Sequence, residues 1–248
     1  MKVIGLLSWF DEDCDDLRRA IQSHANYIDH LVAVDGRYAR FGGGAPASSL
    51  TQMEAIIGAC AGAQIGLTLW CEPQEPWPGE VTKRRHMMRL GLAEATLGTD
   101  WLWVIDADNE LASAPHPDRF RAELMATQRH VCAVTFAEPG RLIDETRRPM
   151  RQLFRALPGL TVYGRHWHYA AKVDGQWEYL WGPDERQVPM HEICDVVVAH
   201  HSAERVAPRR QAALNYYRDR DADNPERTNH WWIEDEYGEL QAIDEESG

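Results

Sequence analysis

The run Trp101-Leu-Trp-Val-Ile105 closes directly on Asp106-Ala-Asp108, and this junction limits the possible folds more than any other feature of the chain. A short, wholly apolar run followed by two carboxylates reads as a buried strand whose end reaches solvent. Three similar runs precede it, at residues 2–8, 31–35 and 65–70, the second ending in the turn signal Asp35-Gly36. Residues 11–30, 49–61 and 82–97 lie between the runs and read as helices. In the first, Leu17, Ile21 and Ile28 share roughly one face, and Asp13 or Asp15 can cap it. Strands alternating with helices predict an α/β fold with a mainly parallel sheet and right-handed crossovers. Gly42-Gly-Gly44 with Pro46, and later Pro73, Pro76 and Pro78, mark loops.

The second half changes character. Residues 131–136 read as a strand, and 153–154 and 161–163 as short pieces broken by Pro158-Gly159. Residues 166–172 and 176–180 predict a hairpin around Asp174-Gly175. Residues 195–199 form another apolar strand that ends at His200-His201, and 209–220 read as an amphipathic helix. The expected organisation is one domain over residues 1–205, divided near 110, with a small antiparallel region in its second part. A C-terminal helix and acidic tail follow over 206–248.

Composition narrows the function. A length of 248 residues suits one α/β domain. The net charge of -13 argues against a broad grip on nucleic acid. A local basic cleft from Arg147, Arg148, Arg151 and Arg155 stays open. The five cysteines are scattered and form no C-x-x-C pair, which fits reduced thiols. No apolar run approaches the roughly 18 residues that span a bilayer. The apolar start is too short for a signal peptide. The expectation is a cytoplasmic protein without membrane insertion.

Ligands of open parallel sheets bind beyond the carboxyl ends of the strands. Ser8 and Asp11 after the first strand, Asp35 after the second, Asp106 and Asp108 after the fourth, and His200 after the last all fall there. Asp106 and Asp108 can offer oxygens to one divalent cation. Mg2+ or Mn2+ prefers such hard ligands and keeps positions open for substrate phosphates. The plainer alternative is that one Asp caps the next helix while the other is solvated. A calcium loop would need glycine where Leu111 stands. Lys83-Arg84-Arg85 at a helix start suits a diphosphate, with Arg84 or Arg85 as the contact. The alternative is a solvated basic turn. His166-x-His168 is a second possible metal pair, but Trp167, Tyr169, Trp177, Tyr179 and Trp181 interleave there and suggest an aromatic wall or simply core.

The order of these features resembles the GT-A fold nucleotide-sugar glycosyltransferases, in particular family-2-like members. The resemblance rests on Val34-Asp35-Gly36, the basic triplet at 83–85 and Val104-Ile-Asp-Ala-Asp108, and covers roughly residues 1–110. Downstream, His200 and Arg209-Arg-Gln-Ala-Ala-Leu-Asn-Tyr-Tyr217 are similar to C-terminal segments of some such enzymes. It implies a GT-A, Rossmann-like sheet flanked by helices, with a nucleotide-sugar half over 1–110 and an acceptor half over 111–205. It implies transfer of a sugar from a nucleoside diphosphate to an acceptor hydroxyl, with Mn2+ or Mg2+ as cofactor. Asp35 would contact the base or ribose, and Ser8, Asp11, Arg84 and Arg85 would line the nucleotide. Asp106 would face the ribose or the metal, Asp108 would coordinate it, and His200 would be the third ligand, with His201 as its rival.

An inverting enzyme also needs a carboxylate base. Asp184, Glu185, Glu192 and Asp195 are the candidates, with Glu192 first and Asp184 beside it. The acceptor is open between a small molecule, a protein and a modified nucleobase. Two other functions compete. A nucleotidyltransferase would carry a basic Gly-rich loop after the first strand, where Ser8-Trp-Phe-Asp-Glu-Asp13 is acidic. The other is a non-catalytic carbohydrate-binding protein with a degenerate site.

Overall fold

The computed structural model describes residues 1–41, 44–71, 73–137, 148–164, 168–182, 188–201, 232–234 and 240–242. The first half alternates as expected: β1 Val3–Ser8, α1 Cys14–His24, β2 His30–Val34, α2 Leu50–Ala63, β3 Gly66–Trp70, α3 Glu80–Glu94 and β4 Trp101–Asp106. The second half holds β5 Asn109–Ser113, α4 Pro117–Ala126, β6 Val131–Ala137, β7 Arg148–Arg155, β8 Thr161–Val162, β9 Tyr169–Val173, β10 Gln176–Trp181 and β11 His191–His200. A distal pair, β12 Trp232–Glu234 and β13 Leu240–Ala242, is antiparallel. Asp184, Glu185 and the expected helix at 209–220 lie outside the described residues.

One sheet of eight strands organises the chain, in the order β3-β2-β1-β4-β7-β6-β11-β5. Strands β1 to β4, β6 and β11 share one direction, while β7 and β5 oppose it. The α/β reading with a mainly parallel sheet therefore holds. Among the described residues no helix is long and apolar enough to cross a membrane.

Alternation along the strands explains why both faces are covered. Trp101, Trp103 and Ile105 pack on one side with Leu17 and Ile21 of α1, Ile56 of α2, and Phe120 and Leu124 of α4. Leu102 and Val104 face the other side, with Met87 and Met88 of α3. Val162, Tyr169 and Leu180 of the small sheet β10-β9-β8 complete that layer. Side chains of period two on a strand require this division. Gly91 lets α3 approach closely, since a Cβ there would lie 2.6 Å from Leu6 Cδ2.

Several elements differ from the sequence reading: helix α4 is additional, β7 reaches back to Arg148 from the expected 153–154, and β11 reaches back to His191 from 195–199. Helix α1 starts where Asp13 accepts from the Asp15 N–H at 2.7 Å, but it stops at His24, well short of residue 30. Strand β5 was not expected at all. It begins three residues after β4 ends, yet three strands stand between the two in the sheet order. Three peptide steps reach at most about 11 Å, whereas four flat interstrand gaps span about 19 Å. The sheet therefore curls, and its β5 edge returns to the carboxyl end of β4. The hairpin of β9 and β10 turns at Asp174 and Gly175, which have φ of 52° and 85°.

Candidate functional site

The parallel register aligns the strand ends in one row. Val34 pairs with Trp70, Ser8 with Val34, and Ser8 with Asp106. Ser8 thus stands between the β2 end that leads to Asp35 and the β4 end that carries Asp106. Curling brings β11 to the same place, because His200 pairs with Asn109, the residue after Asp108. Ser8, Asp35, Asp106, Asp108 and His200 all belong to this edge.

Asp35 is buried, and both of its carboxylate oxygens are engaged by Ser48. The Ser48 N–H donates to Oδ2 at 2.8 Å, and its hydroxyl donates to Oδ1 at 2.5 Å. The Asp11 N–H donates to the same hydroxyl at 3.0 Å, and Asp11 holds φ at 49°. Ser48, which sequence reasoning missed, thereby joins the loops after β1 and β2. Trp77 adds a second tie, donating from Nε1 to the Asp35 carbonyl at 2.9 Å. Gly36 accommodates that indole: its φ is +119°, and a Cβ would lie 2.7 Å from Trp77 Nε1.

The basic triplet does not open its helix. Helix α3 begins at Glu80 behind Gly79, so residues 83–85 fall in its second turn, where no orphan N–H groups point at a ligand. Lys83 is buried and donates to the carbonyls of Trp9 at 2.6 Å and Gly36 at 2.9 Å. Burial pulls its pKa down to about 7, against the raising effect of Asp35, Glu12 and Glu80. Arg85 donates to the Val162 carbonyl at 2.7 Å. Arg84 Nη2 lies 2.7 Å from Asp106 Oδ1, and its Nε lies 3.4 Å from Glu80 Oε1. Burial opposes the Arg84 charge, but Asp106 and Glu80 outweigh it and hold its pKa well above the ordinary value. Tyr169, reached from β9, hydrogen-bonds Arg84 and is kept neutral chiefly by burial.

Asp108 is buried, with 4% of its side chain exposed. His200 turns toward it, with Nδ1 3.5 Å from Asp108 Oδ1. His201 turns away and meets Glu110 at 2.9 Å. Opposite facing of strand neighbours thus decides between the two histidines. Asn109, 1% exposed, holds the turn between them: its Oδ1 accepts from the Asp106 N–H at 3.2 Å and from Gln152 Nε2 at 3.3 Å. Its Nδ2 lies 3.1 Å from His200 Nδ1.

These positions test the metal expectation. Among the described residues no three His, Cys, Asp or Glu side chains group as a metal site needs. The reason is visible in the pairing: Asp106 faces Arg84, and His200 Nδ1 faces the Asn109 amide. As placed, Asp106, Asp108 and His200 do not group as three ligands. One carboxylate, Asp108, fits a small divalent cation of the kind that takes its remaining ligands from water and substrate phosphates.

Glu192 is set apart from this edge. It pairs with Ala133 near the start of β11, whereas Ala199 pairs with Ala137. Four residues of β6 separate those levels, about 13 Å. A bulge between Glu192 and Val197 takes up the surplus residues and includes Asp195, at φ 65° and 3.7 Å from Arg119. No base at the carboxyl edge follows from either carboxylate. Of the suggested basic cleft, Arg147 and the side chain of Arg148 lie outside the described residues. Arg151 donates to the Leu180 and Val188 carbonyls, and Arg155 donates to those of Thr127 and Arg129 while lying 4.6 Å over the Trp101 ring. Both serve as loop ties. His168 of the other suggested metal pair is buried, and His166 lies outside the described residues.

No protein-family model and no curated protein sequence matches the chain.

Proposed function

We propose that the chain is a glycosyltransferase of the GT-A type, moving a sugar from a nucleoside diphosphate to an acceptor hydroxyl. One observation carries the reading: the in-register row that sets Ser8 between the β2 end leading to Asp35 and Asp106 of Asp106-x-Asp108. Ligands of open α/β sheets bind at such an edge, where a strand order reverses. Here the order reverses between β1 and β4, since β2 and β3 extend one way and β4 the other.

Each residue then has a task in binding. The Ser48–Asp35 and Trp77–Asp35 bonds hold the loop that would cup the nucleoside. Arg84 is paired with Asp106, and Asp108 follows as the second carboxylate at the end of β4. Mn2+ or Mg2+, held there by Asp108 and the donor phosphates, would stabilise the charge of the departing nucleoside diphosphate. The curled β5 edge walls the site beside His200. The acceptor in this reading is a small molecule, a protein or a modified nucleobase, and Arg151 and Arg155, bound to backbone carbonyls, add no basic cleft for the last.

The test is a thermal-shift panel of nucleoside diphosphates and nucleotide sugars with Mn2+. One base should raise the melting temperature of the wild-type protein, and Asp108→Ala should lose the shift. No shift with any of them sinks the reading.

A further inference from the structure

The side chains beneath His200 form a chain whose hydrogen-bond sense can be worked out from its fixed end. Trp103 is fully buried on β4, and its indole Nε1 can only donate. Its partner is Gln152 Oε1 at 3.4 Å, which assigns the oxygen of the Gln152 amide. Gln152 Nε2 must then donate, and it meets Asn109 Oδ1 at 3.3 Å. The backbone N–H of Asp106, also a donor only, meets the same Oδ1 at 3.2 Å. Two independent donors thus orient the Asn109 amide, so its NH2 faces His200 Nδ1 at 3.1 Å. An NH2 group requires a lone pair opposite it. His200 Nδ1 is therefore the acceptor nitrogen, and the ring proton of the neutral imidazole sits on Nε2. Asp108 Oδ1 is the farther neighbour of Nδ1, at 3.5 Å against 3.1 Å for the Asn109 amide, and it forms an ion pair only with a protonated ring.

We infer that Asn109 is a positioning residue that locks His200 as the Nε2–H tautomer, so that His200 offers a hydrogen-bond donor, not a metal-binding lone pair, to an oxygen of a bound diphosphate. Among the described residues nothing bonds Nε2, and the ring is a quarter exposed and packs 5.0 Å from Phe136. The tautomer follows from the buried chain alone. The diphosphate as its acceptor rests on the glycosyl-transfer reading.

The experiment uses the full chain, labelled with 15N-histidine, at about pH 8.5 where an ordinary imidazole is neutral. Long-range 1H–15N correlation should give His200 the Nε2–H pattern. Asn109→Asp puts a carboxylate opposite Nδ1, and the pattern should invert to Nδ1–H, freeing Nε2 as a lone pair. Mn2+ affinity, read from the electron paramagnetic resonance of free Mn2+, should rise about tenfold in Asn109→Asp. It should stay within about twofold in His200→Gln, whose amide nitrogen replaces the Nε2 donor. Calorimetry with inorganic pyrophosphate and Mn2+ should show His200→Gln near wild type and His200→Phe weaker by about tenfold. An Nδ1–H pattern in the wild type overturns the tautomer lock and leaves the glycosyl-transfer reading standing. A tenfold or greater loss of Mn2+ affinity in His200→Gln identifies His200 as a metal ligand and overturns the inference. Pyrophosphate that fails to bind the wild type, with the Nε2–H pattern intact, removes the diphosphate role and counts against the glycosyl-transfer reading itself.

Discussion

Arg84 Nη2 lies 2.7 Å from Asp106 Oδ1, and this pair ties the second turn of α3 to the carboxyl end of β4. The arginine side chain is 7% exposed and the aspartate 34%, so the pair sits at the boundary between core and site. Arg84→Met should cost about 3–5 kcal/mol, because buried Glu80 also loses its cation. Asp106→Asn should cost less, about 1–3 kcal/mol, since Arg84 keeps Glu80. Chemical denaturation measures both. A loss below about 1 kcal/mol for Arg84→Met would mean the pair behaves as a solvated surface bridge.

Ser48 links two loops through one hydroxyl. Ser48→Ala removes a bond to buried Asp35 and leaves the Asp11 N–H without that acceptor. The expected cost is about 1–3 kcal/mol, with faster hydrogen exchange at the Asp11 amide. Ser48→Thr keeps the hydroxyl and should recover most of the loss. Unchanged exchange at Asp11 in the alanine variant would show that the loops are held by other contacts.

Gly36 occupies a conformation that other residues resist, and Trp77 fills the space where a side chain would start. Gly36→Ala should cost at least about 2 kcal/mol from backbone strain and displacement of the indole. A shifted Trp fluorescence maximum with lower nucleotide affinity should accompany it. Full stability in this variant would contradict the packing of Trp77 on the Asp35 loop.

His24 supplies a pH dependence unrelated to the site. Its Nδ1–H donates to the Ala20 carbonyl at 2.8 Å, and the ring packs edge-on against Trp103 at 4.8 Å. Burial lowers its pKa from 6.5 to about 4. Between those values the unfolded chain binds the proton and the folded chain does not. The contribution is therefore full above pH 6.5 and is lost as pH falls toward 4. The total is about 3 kcal/mol at most. Denaturation between pH 7 and about 4 should show this slope in the wild type, and His24→Phe should flatten it. An equal slope in both proteins would assign the acid sensitivity to other groups.

The fold and part of the site were legible in local pattern. Trp101–Ile105 reads as a buried strand because five apolar residues in a row leave no solvent face, and Asp174-Gly175 reads as a hairpin turn because both residues tolerate positive φ. The rest depended on contacts between distant residues. Nothing in the order of residues says that the sheet curls far enough for Asn109 to pair with His200. The burial of Lys83 and Arg84 was hidden because a basic triplet has the same composition whether it faces solvent or a strand end. Glu192 fell away from the site because β11 starts at His191 and not at Asp195, which puts Glu192 at the amino end of the strand, opposite the edge that carries His200. Ser48 carried only a weak signal, a hydroxyl after Pro46 in a glycine-rich loop.

Donor hydrolysis bears most directly on the glycosyl-transfer account. A panel of nucleotide sugars with Mn2+ is assayed for release of nucleoside diphosphate by the wild type and by Asp108→Ala, with folding of the variant verified by circular dichroism. Hydrolysis of one donor class, reduced about a hundredfold or more in Asp108→Ala, is the expected result. Hydrolysis that survives in Asp108→Ala, or no release from any donor, would contradict the account.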